Sequence, residues 1–241
     1  MKTGFVFQFW PYAATALFGA GMLVRWVTRR KASATFNARD LVRSTRSLLL
    51  GLFLLLLGHV AGLFFPRQIL LWNGSPFRLY ALEALGFAIG LWAVAGWAVV
   101  MWRHVASSDG SIGVQIGRVL FLSLLFTTLL SGSLTAVLLR WGSEWGAATL
   151  APYTLSLLRG QPAVALAIGM PFLVRLHVFS AFATLALFPA TDAASALVAA
   201  LSRGGRWIST PAYRLFDLGR KPVRIAARRL NPAIWIWPEL E

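Results

Sequence analysis

From Ser47 to Phe65 the chain carries no Asp, Glu, Lys or Arg, and apolar runs of similar length recur along it. A helix that crosses a bilayer needs about 20 predominantly apolar residues. Five such spans are predicted, at Trp10–Val27, Ser47–Phe65, Leu79–Trp102, Val119–Leu139 and Pro171–Pro189, the last able to continue as helix through TDAASALVAAL. Soluble domains carry roughly a quarter charged residues, whereas here the share is 13 %. The fold class expected is therefore an all-α membrane protein, a single five-helix bundle with no room for a large soluble domain. The first run is too long to be a removable signal peptide, and no distinct cleavage context follows it.

The formal net charge is +15. A pI of about 11.7 first suggests nucleic acid, but the distribution points elsewhere. The basic residues flank the apolar runs and lie mostly on alternate loops. Arg29, Arg30, Lys31, Arg39 and Arg43 follow span one, and Arg203, Arg206, Arg220, Lys221 and Arg224 lie in the tail. That pattern sets membrane orientation and suits anionic lipid heads; no nucleic-acid partner is expected. With five spans the N-terminus lies outside and the C-terminus in the cytoplasm. The tail, rich in arginine and tryptophan, is expected on the cytoplasmic surface or against a partner. The stretch between spans four and five is apolar but broken by Gly and Pro, and is expected to lie on or dip into the outer interface.

The chain has no cysteine. That removes disulfides, thiolate nucleophiles, thiolate-bound iron–sulfur clusters and covalent haem attachment. A redox cofactor would have to be held by histidine or methionine. There are three histidines. His59 lies seven residues before Pro66, and His177 six residues after Pro171. At 1.5 Å per residue each is about 9–10 Å from the outer end of its helix. Two ionisable groups thus sit at matched depth on two apolar helices.

Ionisable groups inside a membrane mark functional paths, and two readings fit. One is a b-type haem with an imidazole on each face of the iron, between helices two and five. Gly58 and Gly62 beside His59 would let a flat ring approach, and Arg175 could pair a propionate. The other is a proton relay, for which Glu83 is the only acidic residue at that depth. The plain alternative is that each ring donates to a backbone carbonyl and does nothing more. Haem is favoured because a relay lacks acidic partners. His104, beside Arg103 at the inner end of span three, reads as an interfacial histidine, with ligation of a second haem as the other possibility.

The stretches FWPYAATALFGAGMLVRW, LLLGHVAGLFFP and FLVRLHVFSAFATLALFP resemble the gamma subunit of respiratory nitrate reductases, over about Phe9 to Leu197. The G-H of span two and the R-L-H of span five carry the resemblance most specifically. The resemblance implies a five-helix cytochrome b that anchors an iron–sulfur subunit and a molybdenum catalytic subunit. Such a subunit exchanges electrons with quinol through two b haems. The residues matching the ligands of the outer haem are His59 and His177. At the positions matching the ligands of the inner haem stand Leu49 and Ser195, so one haem b is expected and a second stays open, with His104 as the available histidine. A quinone site beside the outer haem would place a basic residue near Arg78.

On this reading residues 1–201 form a transmembrane haem-binding domain and 202–241 a basic cytoplasmic tail. The chain would serve in the cytoplasmic membrane of a bacterium or archaeon as the anchor and electron carrier of a molybdenum oxidoreductase. A related alternative is the matching subunit of a nitrite oxidoreductase, passing electrons toward a cytochrome c. An alternative of another class is a haem-free anchor or a small proton-coupled transporter.

Overall fold

A computed structural model describes residues 2–28, 38–106, 112–139 and 142–191, together with Ala194 and Val198. The tail expected at 202–241 and Ser195 lie outside the described residues. Long helices dominate: α1 (Lys2–Thr28), α2 (Ala38–Phe64), α4 (Pro76–Ala106), α5 (Ile112–Leu138) and α9 (Phe172–Leu187). Shorter pieces join them: α3 (Pro66–Asn73), α6 (Gly142–Trp145), α7 (Ala151–Leu158) and α8 (Val164–Ile168), with a π-helical turn at Gly146–Leu150. Among the described residues there is no strand.

Several prolines stand at the starts of helices, whereas Pro11 lies inside α1. Pro66, Pro76 and Pro152 fall in the first turns of α3, α4 and α7, and Pro171 stands just before α9. Proline fits there because the first backbone N–H groups of a helix have no intrahelical acceptor and its φ is already helical. In the α3–α4 turn Arg78 donates from Nε to the Trp72 carbonyl at 3.0 Å and lies over the Trp72 ring. Trp72 Nε1 donates back to the Arg78 carbonyl at 3.0 Å. The pair ties the open C-terminal end of α3 to the start of α4, satisfying a carbonyl the short helix leaves free.

Four segments are long and apolar enough to cross a membrane: Thr45–Phe64, Pro76–Arg103, Gln115–Leu138 and Phe172–Ala190. They fall within or overlap spans two to five. The predicted first span lies in α1, which has the length, 27 residues, but is diluted by Gln8, Tyr12 and Arg25.

The helices pack in an open arc whose order is α1, α9, α5, α4, α2. Each junction is made at a small residue. A Cβ on Gly21 of α1 would lie 2.5 Å from Pro189, just past α9. One on Gly132 of α5 would lie 2.9 Å from the His177 ring, and one on Gly90 of α4 would lie 2.7 Å from Ser133 Oγ of α5. Gly96 of α4 sits against the backbone of α2, where a Cβ would lie 2.5 Å from Leu48 N. Helices in lipid have little hydrophobic drive to associate, so close backbone approach at small residues and interhelical hydrogen bonds hold them. Trp97 Nε1 donates to the Leu122 carbonyl at 2.8 Å, and Trp92 Nε1 to the Ser47 carbonyl at 3.2 Å. Because the Gly96 neighbour is backbone, Gly96→Leu cannot be relieved by a side-chain rotation. It should cost about 1–3 kcal/mol or more, read as a lower unfolding midpoint in detergent, whereas Gly86→Leu, with open space at its Cβ, should change little.

The stretch after span four is more than an interfacial segment. The structure folds it into α6, the π-helical turn, α7 and α8, and packs it into a buried cluster of Phe7, Tyr153, Leu157, Ala167, Met170, Val174 and Val178. Tyr153 is fully buried and donates to the Phe7 carbonyl at 2.6 Å. Burial pushes its hydroxyl up to about 12, so it stays a donor at any physiological pH. Tyr12 donates to the Leu157 carbonyl at 2.8 Å. These bonds fasten α1 to α7. The π-helical turn and α7 also touch α2, and α8 touches α1. The segment thus reaches both the first and the last members of the arc.

Candidate metal centre

Among the described residues α2 and α9 make almost no direct backbone approach. They face each other across a cleft, and the histidines stand on its two walls. The His59 and His177 ring centroids are 5.9 Å apart, with planes inclined by 26°. The sequence expected the two at one depth, and the structure brings them together.

Each ring is held by its Nδ1. That of His59 is 2.7 Å from the Leu55 carbonyl one turn back on α2. That of His177 is 2.9 Å from the Thr128 carbonyl of α5 and 3.4 Å from Ser131 Oγ. A carbonyl only accepts, so Nδ1 carries the proton in both rings. Both Nε2 atoms then keep a lone pair, which is the form that binds a metal. Among the described residues no carboxylate bonds to either ring. Glu83 instead accepts from Ser143, at 3.4 Å from its backbone N and 3.5 Å from Oγ.

The spacing can be tested against a haem. A metal–imidazole bond is about 2 Å, and the bound nitrogen lies roughly 1 Å from its ring centroid, so two imidazoles on one metal have centroids about 6 Å apart. The observed 5.9 Å fits. No group of three or more His, Cys, Asp or Glu able to hold a metal occurs among the described residues. A donor set of two suits a metal whose other four positions are filled by a porphyrin.

The surroundings suit a flat group as well. Leu55, Gly58, His59 and Gly62 fall within about 100° on one face of α2, by 3.6 residues per turn. A Cβ on Gly58 or Gly62 would meet nothing within 4 Å. On the other wall Gly132 leaves a slot for the His177 ring, since a Cβ there would lie 2.9 Å from Cε1 and 3.1 Å from Nδ1. Sequence reasoning missed Gly132, Thr128 and Ser131. The only signal was a cluster of small and hydroxyl residues, FTTLLSGSLT, on an otherwise apolar helix.

The remaining candidates stand apart from the cleft. Arg175 lies one turn before Phe179 on α9, and Phe179 stacks on Trp10 of α1 with ring centroids 5.3 Å apart. The Arg175 Nε is buried without a hydrogen-bond partner. Arg78 engages carbonyls of α3 as described. His104 is helical in its backbone, 28 residues beyond Pro76 and hence about 42 Å along α4, past a hydrocarbon core about 30 Å thick; its side chain lies outside the described residues. Leu49 is 41 % exposed and offers no ligand.

No curated protein matches the chain. The family model described as nitrate reductase gamma subunit matches residues 3–204. On that match, which takes in every described element and both histidines of the cleft, the chain belongs to the nitrate reductase gamma subunit family.

Proposed function

We propose that this chain is the membrane-anchoring cytochrome b subunit of a nitrate-reductase-like complex, with one haem b held by His59 and His177 between α2 and α9. The observation that supports the reading is the approach of the two rings, with centroids 5.9 Å apart, each Nδ1 engaged by a carbonyl so that Nε2 keeps its lone pair. Bound there, a haem supplies a one-electron couple. The chain's own part is to fix both rings in the coordinating tautomer and to keep the site among apolar walls. Its segment from α6 to α8 stands at the outer end of the cleft. Five spans are proposed, α1 crossing beside α9, with the N-terminus outside and the basic tail in the cytoplasm.

Electrons would pass between quinol or a cytochrome c and an iron–sulfur subunit, with the molybdenum chemistry in a third polypeptide. A proton relay or transporter is disfavoured because among the described residues neither histidine has an acidic partner and Glu83 is tied to Ser143.

Haem b per polypeptide, measured as the pyridine haemochrome of the purified chain or complex, tests the proposal. One haem is expected. Two would point to a further ligand set, His104 first. None would overturn the reading.

A further inference from the structure

We propose that Ser131 tunes the reduction potential of the iron as a second acceptor for the His177 Nδ1–H. The inference rests on the reading that His177 ligates haem iron. Ser131 is buried, with 2 % exposure, and its hydroxyl oxygen has three polar neighbours. It lies 2.6 Å from the Thr127 carbonyl, 3.1 Å from the Thr128 carbonyl and 3.4 Å from His177 Nδ1. The single hydroxyl proton goes to the shortest of these, the Thr127 carbonyl. An oxygen lone pair is then left toward His177. The Nδ1–H is thereby shared between the Thr128 carbonyl at 2.9 Å and Ser131 Oγ.

An acceptor on the far nitrogen of a ligating imidazole makes the ring a stronger electron donor to the metal. A stronger donor stabilises the oxidised, more positive iron, so hydrogen bonding around the ligands is one of the levers on haem potential. His59 differs in this respect. Its Nδ1 has one partner, the Leu55 carbonyl of its own helix. Ser131 therefore makes the two axial ligands unequal, and it does so from α5, a helix that contributes no ligand. On a helix that back-bonds Thr127, Thr128 and Thr135 to carbonyls four residues earlier, Ser131 is the one hydroxyl that also reaches a ligand ring among the described residues.

The test is potentiometric titration of the purified holoprotein, following the reduced haem band. Ser131→Ala should shift the equilibrium about three- to tenfold toward the ferrous form. At 59 mV per tenfold for one electron, that raises the midpoint by about 30–60 mV. Haem content and the low-spin spectrum should stay as in the unmodified chain, and Ser131→Thr, which keeps the hydroxyl, should restore the midpoint. A merely structural role would appear as haem loss without a shift in potential. If Ser131→Ala loses haem, Ser131→Cys carries the test, a thiol being a weak acceptor, and should move the midpoint upward. A midpoint that is unchanged or lowered in the haem-retaining variant overturns the inference. Failure of the parent reading is separate: it appears as absence of haem from the unmodified chain, or as a normal spectrum in His177→Ala.

Discussion

His59→Ala and His177→Ala should each abolish the low-spin b-type spectrum while leaving the protein in the membrane. Under the proposal each substitution takes away one of the two ligands of the iron, and no histidine other than these two faces the cleft among the described residues. The site then offers one protein ligand and becomes five-coordinate or empty. The bundle should survive, because the losses to folding are small. His59 bonds only within α2, so its removal breaks no tie between helices through Nδ1. His177 gives α5 one N–H, shared between the Thr128 carbonyl at 2.9 Å and Ser131 Oγ at 3.4 Å, and an intramolecular hydrogen bond is worth about 0.5–1.5 kcal/mol net. Addition of imidazole to His177→Ala should restore a low-spin signal in part, since Gly132 and the Thr128 carbonyl still form the slot that held the ring. The measurement is the reduced-minus-oxidised spectrum of membranes normalised to the amount of protein. A normal low-spin spectrum in both variants would remove the ligand assignment and the function built on it.

What the sequence could reveal follows from what lipid demands. A helix in hydrocarbon must be apolar almost everywhere, so α2, α4, α5 and α9 stand out as charge-free or nearly charge-free runs. Their ends do not, because helices overrun the bilayer. The span expected from Ser47 begins as helix at Ala38, in a stretch whose sequence carries Arg39, Arg43 and Arg46. The segment from Gly142 to Ile168 read as broken because Gly and Pro recur in it. In the structure the helix runs on through Pro152 just after the π-helical turn, and Tyr153 and Leu157 join the buried cluster. The pair His59 and His177 was legible because two polar groups at one depth are costly enough to need a reason. The order of helices in the arc was not. A face that packs on a neighbour and a face that meets lipid carry the same residue types, so periodicity does not separate them. The Thr128 carbonyl is backbone and leaves no mark in sequence at all.

The glycines divide into two kinds, and the division gives the second large effect. Gly132→Ala puts a methyl group 2.9 Å from Cε1 and 3.1 Å from Nδ1 of His177. The ring is the far end of a side chain, so the folded chain can relieve the contact by turning it. A ring that turns leaves the Thr128 carbonyl and moves its Nε2 off the iron axis. The expected result is a folded protein whose haem is largely high-spin or lost. Gly62→Leu acts from the opposite wall by a different route. Its Cβ meets no protein atom within 4 Å, so in the protein alone the larger side chain enters open space. If a porphyrin lies against that face, the leucine occupies its volume, and haem occupancy should fall at least tenfold, equivalent to about 1.4 kcal/mol of binding. The unfolding midpoint of the haem-free form should not fall. Measured together, haem content and thermal stability separate the two walls of the cleft. Loss of haem in both variants with stability retained means the group lies between Gly62 and the His177 slot. Full haem in Gly62→Leu means the ring plane does not approach α2 at that glycine, and the haem then lies elsewhere along the cleft between α2 and α9.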